Sequence, residues 1–163
     1  MSLIRSIPKG IRFVALETDL VRRLQARGPD ANDQVPERRV AETDGLPCRH
    51  CLQLIGKGEG YLTLAHRPFP VPQPYAEMGP IFLHAEACAR GGGDANIPPF
   101  LSSPRYIVRG YGADDRIVYG TGAIVATPEI PAAAQHMFEN VTVQYIHVRS
   151  ASNNCYHCRI DQG

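Results

Sequence analysis

A chain of 163 residues with 44% apolar side chains is long enough to bury a substantial core, and residues 1–163 are expected to form one domain. A formal charge of +1, with fifteen Arg but only Lys9 and Lys57, leaves no basic stripe and weighs against nucleic acid or an acidic membrane surface as a partner. No run approaches the roughly 20 apolar residues of a membrane span. Met1–Gly10 carries Pro8 and two charges where a signal sequence would have its apolar centre, so the expected location is the cytoplasm, where thiols stay reduced.

Ile11 to Leu16 is apolar, partly β-branched, and reads as a strand. Thr18 or Asp19 is placed to cap a helix running to about Arg27, with Leu20, Val21 and Leu24 on one face and Gly28-Pro29 as its stop. Residues 28–46 are polar, contain Pro36 and read as a loop. Leu52–Ile55 and Tyr61–Leu64 flank Gly56-Lys-Gly-Glu-Gly60, so residues 52–65 are expected to form a hairpin. The alternating prolines of Pro68–Pro74 make a stiff spacer. Ile81–His84 is a short strand or the lead into a helix, and Arg90–Pro104 is a loop rich in Gly and Pro.

The last third is more regular. Tyr106–Tyr111 and Arg116–Val125 read as strands joined by a turn at Gly112–Asp115. Thr127-Pro128 opens a second helix to about Glu139, with Ile130, Ala133, Ala134, Met137 and Phe138 as its buried stripe. Val141–Arg149 reads as a strand with Val141, Val143, Tyr145 and His147 on one face. Strands outnumber helices and do not alternate with them. That predicts an α+β fold with a mainly antiparallel sheet, about two helices and long Pro/Gly-rich loops.

The chemistry lies in the cysteines. Cys48-Arg-His-Cys51 and Cys155-Tyr-His-Cys158 repeat one pattern, C-x-H-C, and His84-Ala-Glu-Ala-Cys88 stands between them. Two thiolates three positions apart can face one point, which suits tetrahedral zinc or a dithiol couple. Five cysteines are an odd number and fit a disulfide framework poorly.

Two zinc sets are open at this level. Cys48, Cys51, His84 and Cys88 follow the order of treble-clef-like fingers and would form a closed, structural site. Against that set stand Leu52, where such turns usually carry glycine, and the long proline-rich segment between Ala65 and Ile81. Cys48, Cys51, Cys155 and Cys158 would form a four-thiolate site instead. His50 and His157 would be donors to the thiolates or plain surface residues. The competing class is a thiol enzyme or redox protein. It would act through a C-x-x-C pair, or through Cys155 with His147 as base and Arg149, Asn153 and Asn154 nearby. Neither Gly56–Gly60 nor Gly91–Gly93 has the strand and helix of a phosphate-binding loop around it.

Pro47-Cys-Arg-His-Cys-Leu52, Gly58-Glu59, Tyr75–His84, Arg109-Gly-Tyr111 and Tyr145–Ala151 through Cys155 resemble the bacterial family named domain of unknown function 1203. The resemblance spans nearly the whole chain and implies a small, single-domain bacterial protein without an assigned activity. The residues point to a zinc-binding or scaffolding domain with a protein or small-molecule partner.

Overall fold

The computed structural model describes residues 10–163, so the segment Met1–Gly10, read above for a signal sequence, lies outside the description apart from Gly10. The strands are β1 (Ile11–Val14), β2 (Glu37–Val40), β3 (Leu46–Pro47), β4 (Leu54–Ile55), β5 (Gly60–His66), β6 (Gly79–His84), β7 (Arg105–Tyr111), β8 (Ala123–Ala126), β9 (Tyr145–Ser150) and β10 (Tyr156–Gln162). The helices are α1 (Thr18–Gln25) and α2 (Ile130–Met137), the second entered through a 3-10 turn at Thr127–Glu129. Every strand pair is antiparallel, so the fold is α+β as expected. No helix among the described residues is long and apolar enough to cross a membrane.

The largest sheet has the order β1-β10-β9-β7-β8; a second is β2-β5-β6, and β3-β4 form a two-stranded ribbon. One face of the five-stranded sheet sends Phe13, Val108, Ile146, Val148 and Ile160 into a core closed by Ile130 and Ala134 of α2. The other face carries Tyr111, Tyr145, His147 and Arg149, and these are buried too. The Pro68–Pro74 stretch covers them. Phe69 packs at 5.3 Å from the ring of Tyr111 and 5.1 Å from that of His147. At the end of this crossing, Glu77 accepts from Arg109 (3.1 Å), Arg149 (3.4 Å) and Asn154 (3.1 Å). The prolines are thus the long connection of the β5–β6 pair, laid over the neighbouring sheet.

A second core lies between α1 and the smaller sheets. Val21 and Leu24 of the helix meet Cys48, Ile55, Leu62, Leu64, Ile81 and Leu83. Inward and outward residues alternate along β5 and β6, which sets their register.

Several local expectations are overturned. Residues 52–65 are not a hairpin. β4 folds back on β3, pairing Leu46 with Ile55, while β5 pairs with β2 and β6. Both edges of β5 are taken by strands distant in sequence, which a local pattern cannot reveal. The 28–46 segment is not all loop: it contains β2, an edge strand whose four residues are all exposed and so show no alternation. Arg116–Val125 shortens to β8, because Val118 N–H and Thr121 tie the chain back onto Gly110. Val141–Gln144 is a turn in which Asn140 Oδ1 accepts from Thr142 N–H and its hydroxyl.

The caps differ as well. Glu17 occupies the position before α1, and the Thr18 hydroxyl meets His50 Nε2 at 2.9 Å instead. Thr127 donates to Ser103 O. At the other end of α1, Arg27 takes φ 72°, and the N–H groups of Arg27 and Gly28 close on Leu24 O and Arg23 O.

Arg149 is buried, with a side chain only 3% exposed, and Glu77 is its carboxylate partner. Replacing Glu77 with Ala should cost about 2 kcal/mol, discounted for the partial exposure of the carboxylate. Urea unfolding of E77A against wild type measures it; no shift in midpoint would mean the crossing is not pinned there.

Candidate metal centre

The ribbon β3-β4 exists to carry a turn. Cys48 N–H donates to Gln53 O and Leu52 N–H to Cys48 O, curling residues 48–52 so that Cys48 and Cys51 face the same side. Closing this curl requires a left-handed residue after the second cysteine, and Leu52 takes φ 59°. Such a conformation costs a non-glycine residue about 1–2 kcal/mol. Burying a leucine side chain returns about 1.5–3 kcal/mol, and Leu52 is 1% exposed in the core beneath the large sheet. Burial therefore outweighs the strain, and the absence of glycine does not spoil the turn.

His84 and Cys88 arrive from the end of β6 and the loop after it. One ligand atom from each of Cys48, Cys51, His84 and Cys88 lies within 4.8 Å of every other. Cys48 and Cys88 sulfurs are 4.0 Å apart, and Cys51 Sγ is 3.4 Å from His84 Nδ1. Donors on a tetrahedral zinc with bonds of about 2.3 Å stand about 3.8 Å apart. Three sulfurs and one imidazole thus converge at close to the spacing of one tetrahedral ion.

The surroundings orient each donor. The far nitrogen of His84, Nε2, meets Glu59 Oε2 at 3.2 Å, and Glu59 is itself held by Gly56 N–H on its other oxygen. A carboxylate on the far nitrogen fixes the ring with Nδ1 towards the sulfurs. His50, fully buried, places Nδ1 3.2 Å from Cys88 Sγ, with Thr18 on its other nitrogen. His84 N–H points at Cys48 Sγ at 3.3 Å. Helix α1 braces the loop: Gln25 donates to His84 O and Glu86 O, and Arg22 donates to Cys88 O. Hydrogen bonds from Cys51 and then Cys88 hold the Cys48 thiol well below the usual range, while the bond to Cys48 is the leading cause that pushes Cys51 and Cys88 up.

Two supports were invisible in the motifs. Gly91 N–H donates to His50 O, and a Cβ on Gly91 would sit 2.1 Å from Cys51 O. Gly92, at φ 76°, is pressed against Phe13 less tightly, where a Cβ would come within 2.5 Å of the carbonyl oxygen. The Gly91–Gly93 run is the plate on which the cysteine turn rests. Arg49, 2% exposed, ties the turn to the large sheet by donating to Tyr156 O at 2.8 Å, and burial pushes its guanidinium down to about 10. The treble-clef order holds as far as β6, but the second ligand pair sits on a strand end and loop, with no helix there.

The second C-x-H-C is built differently. Cys158 is buried in the core of the large sheet, within β10. Cys155 precedes the strand, with Sγ 3.8 Å from Asn153 O. An extended strand does not curl two thiols to one point, and neither joins the four-residue cluster. His157 is wedged between Phe100 and Tyr106 with Nδ1 on Cys155 O. His147 is buried among Phe69, Tyr111 and Tyr156, and its Nδ1 faces Arg149 at 3.0 Å rather than a thiol.

The family model described as "Protein of unknown function (DUF1203)" matches residues 45–162. The chain belongs to this family. No curated protein and no solved structure matches it. The span matched to DUF1203 contains the four clustered donors, Glu59 and Gly91, and leaves the bracing helix α1 outside.

Replacing Gly91 with Ala should force the cysteine turn off its plate and cost about 3 kcal/mol. A G91A midpoint equal to that of wild type in urea would contradict this packing. A pH effect follows from burial. Desolvation, and then Arg49, push His66 and His157 down to about 4, so the folded chain refuses protons that an unfolded chain accepts near 6.5. Stability is full above pH 6.5 and falls towards pH 4, each ring accounting for about 2 kcal/mol by pH 5. Imidazole NMR signals of both rings should stay neutral at pH 5; a midpoint near 6.5 for either would contradict it.

Proposed function

We propose that this chain is a zinc-binding protein whose ion is a structural clasp, held by Cys48, Cys51, His84 and Cys88. The observation that carries the reading is the convergence of these four donors within 4.8 Å. Three thiolates and an imidazole are a soft set that favours zinc over calcium or magnesium. Four protein donors fill a tetrahedral ion, so no position is left for a substrate, and the ion's work is to hold structure. A zinc bound there would tie the β3-β4 turn to the end of β6 and the loop that α1 braces. The role that follows is binding or scaffolding, with the ion fixing a surface rather than reacting. Five free cysteines fit the reducing cytoplasm.

A second reading has one specific observation behind it. Cys155 lines a cavity of about 200 Å³ together with His66, Glu77 and Arg149. A thiol enzyme would use that cavity and would be indifferent to chelators.

Protein purified without added metal should carry about one zinc per chain. C48S and H84A should lose most of it, while C155S keeps it. Chelation should lower the melting temperature of wild type, because binding free energy is folding free energy for such sites. Occupancy should fall with decreasing pH as protons displace the ion from its thiolates. Metal-free wild type, or equal loss from C155S, would contradict the proposal.

A further inference from the structure

One cavity in the described part of the chain is lined by none of the four clustered donors. It is a cleft of about 570 Å³ between the β1–α1 segment and the covered face of the large sheet, within the size range of small-molecule sites. Four guanidinium groups line it, from Arg23, Arg67, Arg90 and Arg159, against the two carboxylates of Glu17 and Asp161. Asp161 is already engaged by Arg159 at 2.5 Å and by Arg12 at 3.8 Å. Among the described residues, Arg23, Arg67 and Arg90 make no ion pair with a carboxylate. Arg90 is fixed by donating to Ala15 O at 2.8 Å. Arg67 is less committed: its one contact is with Met78 Sδ at 4.0 Å, and its Nε, shut away from solvent, has no partner.

The rest of the lining has a second character. His66 also leaves a buried nitrogen, Nε2, without a partner. Burial keeps His66 and His147 neutral, so the positive charge of the cleft comes from the arginines alone. Leu16, Leu20, Phe69 and Pro70 supply an apolar wall beside them. His66, Pro68 and Tyr156 are shared with the 200 Å³ cavity in which buried Arg149 has its own unpartnered Nε. Excess cation without paired carboxylate, next to aromatic and aliphatic surface, is the complement of a molecule with an anionic head and an apolar body.

We propose that this cleft binds a small organic oxyanion, a carboxylate or a phosphate ester, with its charged group on Arg67, Arg90 and Arg23 and its apolar part against Phe69, Leu16 and Leu20. The site goes beyond the zinc reading and does not depend on it, although Arg90 stands two residues after a proposed zinc ligand. Arginine is suited to the task because its fork of donors matches both carboxylate and phosphate geometry.

The test is titration of the full, metal-replete chain with phenyl phosphate and, in parallel, benzoate, followed by amide NMR and calorimetry. Saturable binding of either probe is expected, with shifts centred on residues 14–20, 66–70 and 90. Preference for one probe names the head group. R67Q should weaken the preferred probe about tenfold, the loss of one charge-assisted pair, whereas R105Q, on the far strand β7, should leave it unchanged. Arg67 holds no other structural partner, so R67Q should keep the wild-type melting temperature. Failure of both probes to saturate, or equal affinity in R67Q and wild type, would overturn the proposal. Zinc content measured on the same samples keeps its failure separate from failure of the metal reading.

Discussion

Three sulfurs and an imidazole crowded within 4.8 Å of one another are the constraint on which the rest of the structure turns. Thiolates repel, and buried donors without acceptors are costly. A single divalent cation at the centre would relieve both penalties. The elements that supply the donors come from distant parts of the chain. The β3-β4 turn gives two, and the end of β6 with its loop gives two more. Holding them together also holds the junction of the two cores, because Cys48 packs in the core under α1 while Leu52, four residues on, packs in the core of the large sheet.

Around that point the chain shows the same economy of contacts at successive distances. Glu59 and His50 set ring and sulfur orientation. Gln25 and Arg22 fix the backbone of the His84–Cys88 loop from α1. Gly91 allows the loop after Cys88 to press flat on the cysteine turn, and Arg49 fastens the turn to β10. None of these side chains except Glu59 is exposed to a degree that would suggest a surface role. The cleft lies just outside this assembly. Arg23 is one residue from Arg22, and Arg90 is one residue from Gly91, so a firm clasp would also fix the spacing of two of its cations.

Much of the site was legible in the sequence because its donors are rare residues at short, fixed spacing. Cys48-x-x-Cys51 and His84-x3-Cys88 needed only residue type and separation to be recognised. Two objections to that set dissolve in the structure. Leu52 takes the left-handed conformation because its side chain is buried, and the proline-rich segment is the β5–β6 connection lying over the large sheet. The supports were not legible, since Gly91 and Arg49 act through backbone atoms of residues far away. The second C-x-H-C misled for a related reason. The same four-letter pattern takes its shape from what flanks it: Cys48–Cys51 lies between two short strands that pair with each other, whereas Cys155–Cys158 runs into a strand paired on both sides. The antiparallel α+β character was readable from strand count and turns. Which strands pair was not, because β5 is joined to β2 and β6 across loops that carry no local signal.

X-ray absorption at the zinc edge reads the donors around the ion. The expected spectrum is that of a four-coordinate zinc with three sulfur scatterers at about 2.3 Å and one imidazole nitrogen at about 2.0–2.1 Å. A shell of four sulfurs would bring in Cys155 or Cys158 and contradict the cluster, and a shell dominated by oxygen would contradict a structural clasp altogether.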